Sequence, residues 1–263
     1  MTRRIKRYKD FEVTLSILNE GFIRPPREAQ RNWLLNRALN EFADDLHNLD
    51  DISSRFVGGS DEVLLEDRTQ AVLDDQSIME DWQIPVVRAM AKAVTESHGD
   101  ILEVGFGRGV SSTCIQEEGA RSHTIIECND AIVADFERWR RRYPDEDIRL
   151  VHGRWQDVVD RLEQYDGVLF HTYPLNEQEF LEYVVQSVTF AEHFFPTAAE
   201  HLRPGGVFTY LTNESESLSR GHQRLVLRYF GSFTLSRIGP LALPADSKDD
   251  LWADSMVVIK AIK

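Results

Sequence analysis

Cysteine is nearly absent: Cys114 and Cys128 are the two in 263 residues, with no Cys-x-x-Cys pair and no histidine cluster beside them. That excludes a disulfide scaffold, argues against a structural metal site and points to a reducing compartment. Long apolar runs are missing too, none approaching the roughly 20 residues that span a bilayer. The opening MTRRIKRYKDFEV is basic but has no apolar core, so it does not read as a secretory leader, and Asp10 and Glu12 weaken a mitochondrial reading. An excess of basic residues is also lacking. Lys and Arg number 30 against 44 Asp and Glu, and the net charge of −14 disfavours a nucleic-acid partner. What is present is an ordinary globular composition, 42% hydrophobic and 28% charged, long enough for one domain with an addition. The expectation is a cytoplasmic enzyme with a small-molecule substrate, no metal, and neither membrane nor nucleic acid as partner.

Two regions differ along the chain. Residues 1–75 read as a helical extension: after Pro25-Pro26, the residues Leu35, Ala38, Leu39, Phe42 and Leu46 form one helical stripe. Such a stripe serves as a lid, as a contact in a homodimer, or most often as plain packing on a core. From residue 76 onward a second domain runs to residue 263, and from 100 strands and helices alternate. Strands are expected at 101–105, 123–127, 148–152, 167–170 and 207–211, with helices at 111–118, 131–142, 156–163 and 178–201. The turn Arg203-Pro204-Gly205-Gly206 leads into the fifth strand. A helix at 223–230 and late strands at 233–238 and 255–262 follow. Near-continuous apolar strands separated by helices imply an α/β fold, a mostly parallel sheet covered on both faces. The last two strands lack a crossover helix and read as an antiparallel edge hairpin, giving seven strands in all.

The sharpest local signal is Glu103-Val-Gly-Phe-Gly-Arg-Gly109, directly after the first strand. Glycines there let the backbone turn sharply and approach a ligand. Glu127 ends the second strand, 20 residues after Gly107, where a carboxylate accepts from ribose hydroxyls. A dinucleotide wants its pyrophosphate on a GxGxxG helix start, whereas the third glycine here falls at GxGxG spacing. S-adenosylmethionine is therefore the expected cofactor, ahead of NAD.

Several blocks, in order, are similar to a known family: MEDWQIP (79–85), ILEVGFG (101–107), IIECND (125–130), GRWQDV (153–158), YDGVLFHTYP (165–174), LRPGGVFTY (202–210) and PAD (244–246). The chain resembles guanidinoacetate N-methyltransferase and its relatives, the protein arginine N-methyltransferases of fungal and plant type. The resemblance implies a class I, Rossmann-like fold and S-adenosylmethionine as methyl donor. It implies that Glu103, Gly105, Phe106 and Gly107 hold the methionine part. By the same resemblance Glu127 and Asn129 take the ribose, Trp155 and Gln156 flank the adenine, and His171 closes the site. Gln156 stands where the family usually has Glu, and its amide oxygen still accepts from an adenine amino group.

The substrate side departs from the family. There, a Tyr-Asp-Thr-Tyr-Pro strand end and a Trp-Glu-Thr-Pro stretch supply two carboxylates that grip a guanidinium. Here the matching positions are His171 and Gln83. A guanidinium facing a sulfonium without those anions costs about 4 kcal/mol at 4 Å and an effective dielectric near 20. Guanidinoacetate and arginine are therefore not expected as substrates. His171 and Gln83, the candidate catalytic pair, suit a neutral or anionic acceptor, with Trp82, Gln83 and Tyr173 lining the substrate side. The leading expectation is O-methylation of a small carboxylate or acidic hydroxyl. N-methylation of a guanidino or amino compound is the alternative, kept open by Glu80 and Asp81 beside Gln83. A cofactor-binding pseudoenzyme or interaction module is the reading from another class. His193 and His201 carry no expected chemistry.

Overall fold

The computed structural model describes residues 79–172, 174, 179, 183, 187–212, 217–242 and 255–263. The stripe at 35–46, Tyr173 and the block at 244–246 lie outside the described residues. A 3-10 turn, Asp81–Gln83, leads into α1 (Ile84–Thr95), whose Pro85 sits in the first turn where a missing N–H costs nothing. Then come β1 (Asp100–Val104), α2 (Val110–Glu117), β2 (Ser122–Glu127), α3 (Asp130–Arg140), β3 (Ile148–His152) and the short α4 (Trp155–Val158). They are followed by β4 (Tyr165–Phe170), α5 (Phe195–His201), β5 (Leu202–Tyr210), α6 (Arg220–Tyr229), β6 (Ser232–Ile238) and β7 (Met256–Ile262).

The strands make one seven-stranded sheet in the order β3-β2-β1-β4-β5-β7-β6. β1 pairs parallel with β2 and β4, β2 with β3, and β4 with β5, while β7 runs antiparallel between β5 and β6. This is the doubly wound, Rossmann-like sheet with an antiparallel edge that the alternation implies. β1 is buried on both faces, Ile101 and Leu102 completely, and one apolar cluster centres on Phe170, Phe194, Phe208 and Tyr210. A second cluster on the other face joins α1 to Ile101, Leu169 and Val258.

Two elements differ from expectation. The helix expected at 178–201 is not continuous: residues 187–189 bend, a 3-10 turn spans Phe190–Phe194, and α5 starts afresh. Pro196 explains the restart, since its ring tolerates only the first turn of a helix. The Arg203–Gly206 turn is instead part of β5, bulged against β4 so that Tyr165 faces Leu202 and Gly167 faces Val207. Gly205 donates to the Lys263 carbonyl at 2.9 Å, and Lys263 donates back to Gly206 at 3.1 Å, which ties the bulge to the end of β7.

Candidate active site

β1 and β4 deliver their carboxyl ends side by side. The His171 amide donates to the Val104 carbonyl at 3.0 Å, and Gly105 donates to Ile126 on β2 at 2.9 Å. Gly105 takes φ +93°, and a Cβ built there would lie 2.3 Å from the His171 carbonyl oxygen. No side chain fits, so glycine is required for the turn to pass this close to the end of β4. Gly109 (φ +69°) caps α2, and a Cβ there would press on the Phe106 ring at 2.8 Å.

Glu127 clamps this turn. One carboxylate oxygen accepts from the Phe106 amide at 3.0 Å and more loosely from Gly107 at 3.4 Å. The other accepts from Cys128 at 2.7 Å and Asn129 at 2.9 Å. Asn129 also serves the start of α3. Its Oδ1 caps α3, accepting from Ala131 and Ile132 at 2.9 and 3.1 Å, as asparagine does at helix starts. Glu103 stands behind the turn rather than in the site. It is completely buried, its carboxylate accepting from the Ser111 and Ser112 hydroxyls, with His123 Nε2 at 2.9 Å. A buried carboxylate has to be satisfied this fully, and α2 supplies the donors. The Phe106 ring is a core residue, packed edge-on against Phe136 and Trp139 at 5.4 Å; only its backbone belongs to the turn.

A cleft open to solvent lies at the carboxyl ends of β1, β2 and β3. Gly105, Glu127, Trp155 and Gln156 line it together, joined by Thr172 from the end of β4. This is the crevice where open α/β sheets bind ligands. His193 also lines it, a residue for which sequence reasoning assigned no role. The His193 ring is held against the Phe190 backbone, while Gln156 Oε1 is closed off from water without a hydrogen-bond partner. Leaving such an atom unpaired costs about 1–3 kcal/mol, so the cleft is fitted to a donor that would pair with it.

His171 is half-buried, and burial pushes its imidazole down to about 4, against a weaker upward pull from Glu103. It is neutral at pH 7. Trp82, expected on the substrate side, is a core residue, 5% exposed and packed with the α1 cluster, its indole N–H donating to Glu80. Gln83 is half-buried at the start of α1. Arg108 ties its segment to the glycine turn, donating to the Met79 carbonyl and to Asp81, both at 2.7 Å. Glu80 thus accepts from Trp82 and Asp81 from Arg108.

The doubly wound sheet, its antiparallel edge and the glycine turn facing a crevice make up the class I, Rossmann-like methyltransferase fold. The model of the guanidinoacetate N-methyltransferase family matches residues 58–228, and the chain belongs to that family. Protein arginine N-methyltransferase 2 of Eremothecium gossypii is 24% identical over 144 residues, covering 51% of this chain and 32% of that protein. Its namesake from Emericella nidulans is 28% identical over 143 residues, covering 52% and 32%. The matches thus span about a third of the length of these curated relatives. Among solved structures, the N-methyltransferase NodS from Bradyrhizobium japonicum, in complex with S-adenosyl-L-homocysteine, superposes with a TM-score of 0.51. It is 12% identical and covers 77% of this chain and 97% of that one, a likeness of fold.

Proposed function

We propose that this chain methylates an uncharged nitrogen of a small molecule, with S-adenosylmethionine held in the cleft at the carboxyl ends of β1, β2 and β3. The observation that carries the cofactor half is the glycine turn with no room for a side chain, facing a cleft in which the buried Gln156 Oε1 is unpaired. Bound there, the cofactor supplies a methyl group on a sulfonium. Gly105 and Gly107 would hold its methionine part by backbone approach, Glu127 the ribose, and Trp155 and Gln156 the adenine.

For the acceptor, a neutral His171 is the guide. A neutral imidazole accepts a hydrogen bond, or the proton, of an attacking N–H, which suits an amine presented in its free form. A charged guanidinium would find no carboxylate at 83 or 171, and Glu80 and Asp81 are engaged elsewhere. The curated relatives, protein arginine N-methyltransferases, support nitrogen over oxygen. O-methylation of a carboxylate is the second reading, supported by amide and imidazole standing where the family has two acids. There the sulfonium would offset the incoming charge, and burial keeps His171 from adding an imidazolium. The remaining expectations, a helical extension over 1–75 that lids the site or joins a homodimer and a cytoplasmic setting, stay with this proposal. The family match reaches back to residue 58, inside that extension.

The test is transfer of labelled methyl from S-adenosylmethionine to a panel of amines, guanidino compounds and carboxylic acids. Alkali-stable label on an amine is expected. Alkali-labile label on acids alone overturns nitrogen in favour of the ester, and cofactor binding with no transfer to any member favours a pseudoenzyme.

A further inference from the structure

The two edges of the sheet are finished unequally. β3 is five residues long, and its Arg149 is tied back to Glu163 at 3.1 Å and to the Arg161 carbonyl at 3.3 Å. β6 runs seven residues at the other edge, and among the described residues β7 is its one strand partner. All seven positions pair with β7 in continuous register, so no bulge bends the strand away. Its sequence, SFTLSRI, holds no proline, no lysine and no acid. Those are the devices that blunt an exposed edge, whose unpaired N–H and C=O groups otherwise invite another strand. Five of the seven residues are exposed, and Leu235 at the centre is 38% exposed.

The register assigns the faces. Phe233, Leu235 and Arg237 stand opposite Ala261, Ile259 and Val257 of the larger apolar cluster, while Thr234 and Ser236 share the other face. A twofold axis at Leu235 turns this pattern onto itself. Leu235 then meets the partner's Leu235, Phe233 the partner's Arg237, and Thr234 the partner's Ser236. Apolar, arginine–ring and hydroxyl pairs result, each a favourable cross-strand match. The two Arg237 side chains, four residues apart along the seam, lie about 14 Å from each other, beyond a screening length of about 8 Å. We propose that β6 is the seam of a homodimer, pairing antiparallel about Leu235 with β6 of a second copy to make one continuous sheet. The seam lies at the edge farthest from β3 and leaves the cleft at the ends of β1, β2 and β3 untouched.

Sedimentation equilibrium of the full chain, joined to cysteine cross-linking, tests this. Wild type is expected to reach twice the chain mass as concentration rises. Leu235→Glu sets like charges opposite each other across the axis and should raise the dimer dissociation constant about tenfold or more. Leu235→Cys should form a covalent dimer on mild oxidation, with wild type as the oxidation control. Directly opposite residues of antiparallel strands lie about 4.5–5.5 Å apart, within disulfide reach. Thr234→Cys and Ser236→Cys should each fail to link alone and should link when mixed. Wild type that stays monomeric overturns the proposal, and so does a dimer indifferent to Leu235→Glu. Self-linking at 234 or 236 with none at 235 overturns it as well, whether or not Leu235→Glu folds.

Discussion

The two ends of the parallel strands are finished in opposite ways. At the amino ends of β1, β2, β4 and β5, Asp100, Arg121, Asp166 and Arg203 pair among themselves. Arg121 grips Asp100 with two bonds of 2.8 and 2.6 Å, and Arg203 reaches Asp166 at 2.7 Å and Asp100 at 2.9 Å. The Arg121 guanidinium holds the Asp100 carboxyl far below the usual carboxylate range. At the carboxyl ends, two histidines are neutral by burial, a glycine turn excludes side chains, and the buried Gln156 Oε1 goes without a partner. One end is satisfied within the chain, while the other is completed only from outside. That asymmetry is what a ligand site on a stable scaffold requires.

Breaking the glycine turn should have the largest effect. Gly105→Ala drives a methyl group into the His171 carbonyl at a left-handed backbone angle. Methyl transfer should fall by about 100-fold or more, as misplacement by an ångström does; a steady-state assay with labelled cofactor reads it directly.

Acid should come next, and it separates the ends by pH. His171 and His193 lie at about 4 in the folded chain against an ordinary 6.5. Between those values the unfolded chain holds protons that the folded chain does not, so stability falls as pH drops from 6.5 toward 4. The slope is at most about 1.4 kcal/mol per pH unit for each histidine. Asp100 is depressed, so its contribution is present above its ordinary value near 3.8 and is lost only as pH falls below that. Urea melts across pH 3–7 should show the histidine slope first, and His193→Phe should flatten it.

The smallest effect belongs to the amino ends. Arg121 is mostly exposed, so Arg121→Ala should lower stability only slightly, less in high salt, and leave cofactor affinity unchanged. Loss of cofactor binding in that variant would blur the comparison between the two ends.

Much of this division was legible in the amino acids. Apolar strands separated by helices fix the parallel sheet, the missing crossover after residue 230 marks the antiparallel edge, and the glycines mark the turn. The roles of Glu103, Phe106 and Asn129 were not legible. β1 is buried on both faces, so alternation carries no signal of which way a side chain points. A motif therefore names the turn without saying which neighbours face the crevice and which support it from behind. His193 was missed because it belongs to no motif. The one signal, a histidine set among Phe190, Phe194 and Phe195, reads equally as core. The break before α5 was readable from Pro196 and went unused.

The claim that most depends on measurement is that the unsatisfied end of the sheet is the cofactor site. Hydrogen exchange on the full chain, with and without saturating S-adenosylhomocysteine, addresses it directly. Slowed exchange confined to residues 104–109, 126–129 and 153–156, with the 187–195 segment joining them, is the predicted result. Unchanged exchange in those segments despite binding, or protection gathered at the amino ends around Asp100 and Arg203, would contradict it.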